Sequence, residues 1–166
     1  PVYCVQEPEL PLLLSKSTNL FKLFLSDVGL LASMYVDGLQ LKILSREKDI
    51  NFGAIYENVA AQELKAHGFE LYYFNSKKQG ELDFVIEYQK NVLPLEIKSG
   101  KAYTRHNALD NVLKEERYAI PQAFVFCNEN ISTQEKITYL PIYMIGFLEK
   151  EKIEEYIYSI DLSVLQ

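Results

Sequence analysis

The stretch GELDFVIEYQKNVLPLEIKSGK, residues 80–101, contains two runs of alternating apolar and polar residues separated by a polar turn. A period of two is that of a β-strand, whose successive side chains point to opposite faces of the sheet. The stretch therefore predicts a β-hairpin with arms at 82–88 and 92–98. Strict alternation places Leu82 and Phe84 on one face of the first arm and Asp83 on the other.

Three charged residues of this hairpin, Asp83, Glu96 and Lys98, are predicted to share one patch, because antiparallel pairing returns the second arm to the first. Two neighbouring carboxylates repel each other unless a cation lies between them, and hard oxygen ligands suit Mg²⁺ or Mn²⁺. Lys98 would then lie beside the metal and offset charge on a phosphate oxygen. The alternative is a cross-strand ion pair on a solvated sheet face, since such pairs are common.

The motifs around the hairpin resemble a known superfamily. GELD at 80–83, followed by the hairpin and by EIK at 96–98, resembles the core of the PD-(D/E)XK nucleases. More narrowly, DVGL at 27–30, GAIYEN at 53–58 and then the hairpin resemble an uncharacterised C-terminal domain of prokaryotic AAA+ ATPases. The resemblance covers residues 18–145. It implies an α/β fold in which a mixed, restriction-endonuclease-like β-sheet is flanked by helices on both faces.

The resemblance also implies roles for individual residues, although Leu82 stands where the superfamily has a proline before the aspartate. Glu57 matches the helix glutamate of the superfamily. The catalytic residues that the resemblance implies are Glu57, Asp83, Glu96 and Lys98. The ligands that it implies for one or two Mg²⁺ or Mn²⁺ ions are Glu57, Asp83, Glu96 and the main-chain carbonyl of Ile97.

The longest helical pattern runs over residues 51–66, and Gly68 stands where a glycine commonly ends a helix. Small residues lie one turn before and one turn after Glu57, so this flank of the helix could approach the sheet closely. The alternative for Glu57 is an ordinary boundary residue paired with Lys65 or with solvent. The apolar stripe predicted for this helix consists of Phe52, Ile55, Tyr56, Val59 and Leu64.

Four basic residues are candidates for contacts with a nucleic-acid backbone. Lys77 and Lys78 precede the hairpin and flank the predicted site, although two lysines in a loop are also common solubilising residues. Lys101 and Arg105 follow the EIK motif, where the resemblance implies nucleic-acid contacts. Arg105 also begins a second predicted helix, over 105–117, with Thr104 as its N-cap.

Other segments predict the rest of a mixed sheet of four to six strands. Asp27 is predicted to cap a short helix that ends at Met34. Residues 2–6 are predicted to form an edge strand or a leftover of a preceding domain, and further strands are predicted at 21–25, 69–74, 123–127 and 137–145.

Composition limits the possible classes of protein. With 166 residues the chain is long enough for one domain, and its net charge of −6 argues against a broadly basic nucleic-acid binder. Two cysteines give neither a disulfide framework nor zinc-ligand spacing, so a cytoplasmic location is expected, and no membrane segment is predicted. We expect an N-terminal segment or domain remnant at 1–17, the restriction-endonuclease-like domain at 18–150 and a C-terminal tail at 151–166.

Two functions follow as hypotheses. The first is metal-dependent hydrolysis of phosphodiester bonds in nucleic acid, with DNA as the expected substrate and Mg²⁺ or Mn²⁺ as the cofactor. The second is a regulatory module that binds nucleic acid or a protein and does not cut. In both, the resemblance implies an N-terminal ATPase domain in the full-length protein. The chain begins at Pro1 without a methionine, as expected for part of a longer protein.

Overall fold

The computed structural model describes residues 1–35 and 52–150, together with positions 38, 41 and 45. The described residues form one mixed sheet of eight strands in the order β2-β1-β3-β4-β5-β6-β8-β7. The strands are β1 Val2–Val5, β2 Lys16–Lys22, β3 Tyr72–Ser76, β4 Gly80–Tyr88, β5 Asn91–Ile97, β6 Ala123–Cys127, β7 Ser132–Gln134 and β8 Ile137–Pro141. The α-helices are α1 Val28–Met34, α2 Gly53–Ala66 and α3 Asn107–Lys114.

The predicted hairpin is confirmed. Strands β4 and β5 pair antiparallel from Phe84 opposite Leu95 to Tyr88 opposite Asn91. The two residues between the strands, Gln89 and Lys90, have positive φ angles of 48° and 59°, as in the tight turns whose twist matches that of paired strands. Strand β5 continues into the sheet through parallel pairing with β6.

Helices cover both faces of the sheet, which confirms the α/β class with a mixed sheet. One apolar layer joins α2 to the sheet and contains Ala60, Ala61, Leu64, Phe84, Ile86, Leu93 and Leu95. The other joins α3 to the sheet and contains Leu82, Val85, Val92, Leu109, Val112 and Val125. Burial of this apolar surface on two sides of one sheet is the main source of stability in such a fold.

The predicted alternation along β4 is wrong at one point. Tyr72 pairs with Val85 but Phe74 pairs with Leu82, so that one residue of β3 faces two residues of β4. This β-bulge reverses the facing of the strand, because Leu82 lies in the layer of α3 while Phe84 lies in the layer of α2. Bulges of this kind re-aim side chains, and here the bulged residue that precedes Phe84 is Asp83.

Helix α2 packs through small residues. Its buried positions are Asn58, Ala60, Ala61 and Leu64, whereas four members of the predicted stripe, Phe52, Ile55, Tyr56 and Val59, are only partly buried. Small side chains allow the close approach that larger ones prevent, so the flank beside Glu57 is the one that meets the sheet. The helix ends before Gly68, whose φ of 81° confirms the predicted glycine terminus. Its predicted start at 51 lies outside the described residues.

Several other boundaries differ from the sequence-based expectations. The sheet has eight strands instead of four to six, and β1 lies between β2 and β3 instead of at an edge. Helix α3 begins after His106, not after Thr104, because the buried His106 ring binds Asp110 and the Tyr139 hydroxyl and fixes the first turn. A 3-10 turn at Glu116–Tyr118 follows α3 in place of continued helix.

The ends of the domain follow simple local rules. Asp27 caps α1 as predicted, since its Oδ1 accepts a hydrogen bond from the Leu30 amide at 2.7 Å. Strand β8 ends at Pro141 and gives way to a 3-10 segment, Ile142–Phe147, so the strand predicted to reach 145 is shorter than expected. The predicted tail at 151–166 lies outside the described residues. Among the described residues, no helix has the length and apolar character to cross a membrane.

Candidate active site

Asp83 lies where the pairing of β4 and β5 stops. The last paired residues at this end are Phe84 and Leu95, and beyond them the Ile97 amide donates to Asp83 Oδ2 at 2.8 Å. A side-chain acceptor thus replaces a main-chain carbonyl, which satisfies the amide and holds the carboxylate between the two strands. The bulge in β4 and this hydrogen bond together determine the position of Asp83.

Glu96 is buried, with 3% of its surface exposed, and its neighbours Leu95 and Ile97 belong to the apolar layer of α2. Its Oε2 lies 2.8 Å from Lys98 Nζ. The main-chain amide of Lys98 donates to the Phe126 carbonyl at 2.8 Å, which ties the end of β5 to β6. Glu96 therefore lies on a paired strand, and Lys98, directly after that strand, is fixed through its own main-chain hydrogen bond to β6.

Lys98 interacts with all three predicted carboxyls. Burial by itself lowers the pKa of Lys98, but that pKa is raised above its ordinary value by Glu96, Asp83 and Glu57. Glu57 reaches the group from α2, and its own pKa is raised by burial and by Asp83. The structure thus brings together the four predicted residues from one helix and two strands. Their catalytic role remains a prediction.

The carboxyls of the site hold protons more tightly than free carboxyls do. Burial raises the pKa of Asp83 in spite of the Ile97 amide and Lys98, which act in the opposite direction. Burial and then Asp83 raise the pKa of Glu96 to about 7, although Lys98 opposes both. A divalent cation bound between these carboxyls would favour their ionised forms.

The donor set fits a hard cation, since it consists of one buried and two partly buried carboxyls that repel each other when ionised. Among the described residues, however, no three His, Cys, Asp or Glu side chains are already grouped as a metal cluster. Joint binding by Glu57, Asp83 and Glu96 would therefore need side-chain rotation. The Ile97 carbonyl as a further ligand remains a prediction.

The four predicted nucleic-acid contacts lie at the surface. Lys77, Lys101 and Arg105 are exposed. Lys78 Nζ lies 3.6 Å from Glu115 Oε2, beside a small crevice of about 210 Å³ that it lines with residues of α3. Lys22 and Lys98, instead, are cations that lower the pKa of Glu57. Their contacts with nucleic acid remain predictions.

Two residues of the site region were missed by sequence reasoning, Lys22 and Glu81. Lys22 Nζ lies 2.5 Å from Glu81 Oε1, and the charge of Lys22 lowers the pKa of both Glu57 and Asp83. No sequence pattern around Lys22 indicates a place in the site, because Lys22 reaches the site through the order of strands in the sheet and not through sequence proximity. Glu81 could have been identified from the sequence, because it lies beside Asp83 in the GELD motif at 80–83.

One cavity formed by the described residues lies away from this site. It measures about 920 Å³ and lies between β1 and α2, with Val2, Phe24, Gln62 and Tyr72 in its wall. None of the four predicted catalytic residues lines it. Cavity size therefore does not identify the chemistry here, whereas the convergence of buried charged groups does.

The raised pKa of Glu96 predicts that the stability of the protein depends on pH when divalent cations have been removed. This pKa is 4.5 in the unfolded chain and about 7 in the folded one. The folded state therefore binds the proton more tightly, and this stabilisation is present below pH 4.5 and is lost as the pH rises through 7. Glu96→Gln removes the ionisation, so the variant should gain up to about 3 kcal/mol over wild type on going from acid to alkaline pH.

The measurement is urea unfolding at a series of pH values with a chelator present. Glu129→Gln, at an exposed position after β6, is the matched control and should parallel wild type at every pH. If the free energies of unfolding of Glu96→Gln and wild type changed in parallel with pH, Glu96 would ionise in the folded protein as it does in the unfolded chain, which would contradict the prediction.

Comparison with known families gives one match. A family model described as "Domain of unknown function (DUF4143)" matches residues 52–145. The matched part contains α2, the hairpin and β6, and with them Glu57, Asp83, Glu96 and Lys98, while β1, β2 and Lys22 lie outside it. No match was found among curated proteins or among solved structures.

Proposed function

Because the chain belongs to the DUF4143 family, a domain of unknown function, we propose its function from its site: divalent-metal-dependent hydrolysis of phosphodiester bonds in nucleic acid. The observation that carries the proposal is that Lys98 interacts with Glu57, Asp83 and Glu96 together. Carboxyls whose pKa values are raised by burial and by a neighbouring carboxyl are costly to stability and are typical of functional sites. An ordinary cross-strand ion pair would need neither the burial nor the third carboxyl.

Each residue has a task in this reaction. Asp83 and Glu96, with Glu57 after rotation and the Ile97 carbonyl, would hold the Mg²⁺ or Mn²⁺. The bound ion would supply Lewis-acid polarisation of a phosphate oxygen and a more acidic water. Lys98 would donate a hydrogen bond to that water or to a phosphate oxygen and offset the charge that develops in the transition state. The Ile97 amide keeps Asp83 in place throughout.

Lys98→Ala separates metal binding from turnover. The carboxyl ligands remain in this variant, so Mn²⁺ affinity should be retained, while the rate of cleavage should fall by about 10²- to 10³-fold because charge stabilisation is lost. The assay uses single- and double-stranded DNA and RNA with Mg²⁺, with a chelator as the blank and calorimetry for Mn²⁺.

The matched control is Lys65→Ala, which removes an exposed lysine that contacts the Glu70 carboxylate and the Phe69 carbonyl and none of the four site residues. It should cleave at the wild-type rate. Wild-type protein that binds Mn²⁺ but leaves all four nucleic acids intact would contradict the proposed reaction.

The second candidate is a regulatory module of an AAA+ ATPase that binds nucleic acid or a protein without cutting. It is favoured by the net charge of −6 and by the frequent occurrence of this family with AAA ATPases. In either case we propose an ATPase as the partner and the cytoplasm as the location. The buried free thiols of Cys4 and Cys127 support a reducing compartment.

A further inference from the structure

Lys22 is the last residue of β2, at the edge of the sheet, but its side chain extends away from that edge towards the candidate site. It lies opposite Val2 in the pairing of β1 with β2, and its side chain reaches towards β3 and β4. Its Nζ lies 5.0 Å from the centre of the Tyr73 ring and 2.5 Å from Glu81 Oε1. The side chain keeps 26% of its surface exposed, so its ammonium can still meet a ligand from solvent.

The pair that Lys22 makes with Glu81 does not account for this placement. Glu81 also accepts a hydrogen bond from Asn75 Nδ2 at 2.8 Å and remains 42% exposed. Exposed ion pairs of this kind contribute little to stability. An ammonium has three N–H donors, and the contact with Glu81 leaves others for an incoming acceptor. The contact with Glu81 therefore leaves the ammonium able to bind a second acceptor.

The negative charges of the site exceed its positive charges when all of its carboxyls are ionised. Four carboxyls, Glu57, Glu81, Asp83 and Glu96, stand against the two lysines that interact with them. A divalent metal would balance the two remaining charges when all four carboxyls are ionised. A phosphodiester then brings a further negative charge, which needs a cation beside the metal.

We propose that Lys22 forms a phosphate subsite, contacting a phosphate oxygen of the nucleic acid bound next to Glu57 and Asp83. This inference rests on the proposed function and deepens it, because it assigns a substrate contact to β2, outside the family-matched residues 52–145. In this arrangement Glu81 competes with the phosphate for the Lys22 ammonium. Strands β1 and β2 thus complete the substrate-binding surface of the family-matched part.

Opposite effects of two substitutions test the subsite. Lys22→Gln should weaken binding of a labelled oligonucleotide and lower the slope of log affinity against log salt by about 0.7 to 0.9, the value for one lost phosphate contact. Glu81→Gln should strengthen binding, because it removes the competing carboxylate. Fluorescence anisotropy with Mg²⁺ in the slow Lys98→Ala background keeps the oligonucleotide intact during the measurement.

The exposed pair Lys65 and Glu70, whose atoms lie 2.8 Å apart, provides matched controls. Lys65→Gln and Glu70→Gln should leave the salt slope unchanged. Mn²⁺ affinity of Lys22→Gln should not fall, since no ligand is lost. If Lys22 only stabilised the fold through Glu81, then Lys22→Gln and Glu81→Gln would change binding in the same direction, which would overturn the subsite.

The outcomes separate this inference from the function on which it rests. If the unsubstituted Lys22 protein binds neither single- nor double-stranded oligonucleotide, the proposed function fails and the subsite with it. If it binds and Lys22→Gln binds equally well with the same salt slope, only the subsite is overturned.

Discussion

Asp83→Asn is expected to lower the rate of phosphodiester hydrolysis by at least about 10²-fold, since losing a metal ligand should cost no less than losing a residue that merely orients one. An amide oxygen is a much poorer ligand for a hard cation than a carboxylate is, so Mn²⁺ affinity should fall in parallel. The substitution is isosteric, and the amide oxygen of Asn can still accept the hydrogen bond that the Ile97 amide donates.

Asp83→Asn should therefore lower the rate of hydrolysis without lowering the stability of the fold. Its unfolding midpoint should equal or exceed that of wild type, because a buried carboxyl whose pKa is raised is replaced by a neutral group. Asp27→Asn is the matched control, since asparagine caps a helix about as well as aspartate does. Full activity of Asp83→Asn would contradict the assignment of Asp83 as a metal ligand.

Gly80→Ala is expected to destabilise the protein by about 2 to 5 kcal/mol, from backbone strain and overpacking together. Gly80 has a φ of 100°, which residues with a side chain rarely adopt, and an added Cβ would lie 2.9 Å from Ala108 Cβ. The hairpin begins here against α3, so neither element can move away without breaking the packing of the other. Denaturant unfolding measures the change.

Two other glycines separate the causes. Gly68 has a φ of 81° and open space around its Cβ position, so Gly68→Ala should cost only the strain, roughly 1 kcal/mol. Gly100 has neither the positive φ nor a close neighbour, and Gly100→Ala should change stability by less than about 0.5 kcal/mol. Equal effects at Gly80 and Gly68 would show that the approach of Ala108 is unimportant.

The hairpin and two of its charged residues could be predicted from the sequence, because their positions depend on local rules. Alternation fixes the arms, the polar turn pairs them, and Glu96 and Lys98 stand two residues apart, near the end of β5 and directly after it. The position of Asp83 could not be predicted in the same way. It depends on a bulge against β3, and the register between two strands is set by packing of the finished sheet.

Tertiary packing also explains the features that were missed. The stripe of large apolar residues predicted for α2 is only partly buried, and the helix meets the sheet through Ala60 and Ala61, on the small-residue flank that was predicted beside Glu57. The start of α3 is fixed by contacts of His106 with Tyr139, a residue of β8. Lys22 reaches Glu81 because β1 inserts beside β3, and no local pattern in β1 indicates that neighbour.

Diffraction from crystals grown with Mn²⁺, recorded to give the anomalous signal of the metal, tests most directly whether the converging carboxyls form a metal site. The expected result is an anomalous peak in contact with carboxylate oxygens of both Asp83 and Glu96, with Glu57 rotated towards it. The peak should be absent from Asp83→Asn crystals grown in the same way. Wild-type crystals with no peak at these residues, or with Lys98 still bound to Glu96 and manganese elsewhere, would contradict the account.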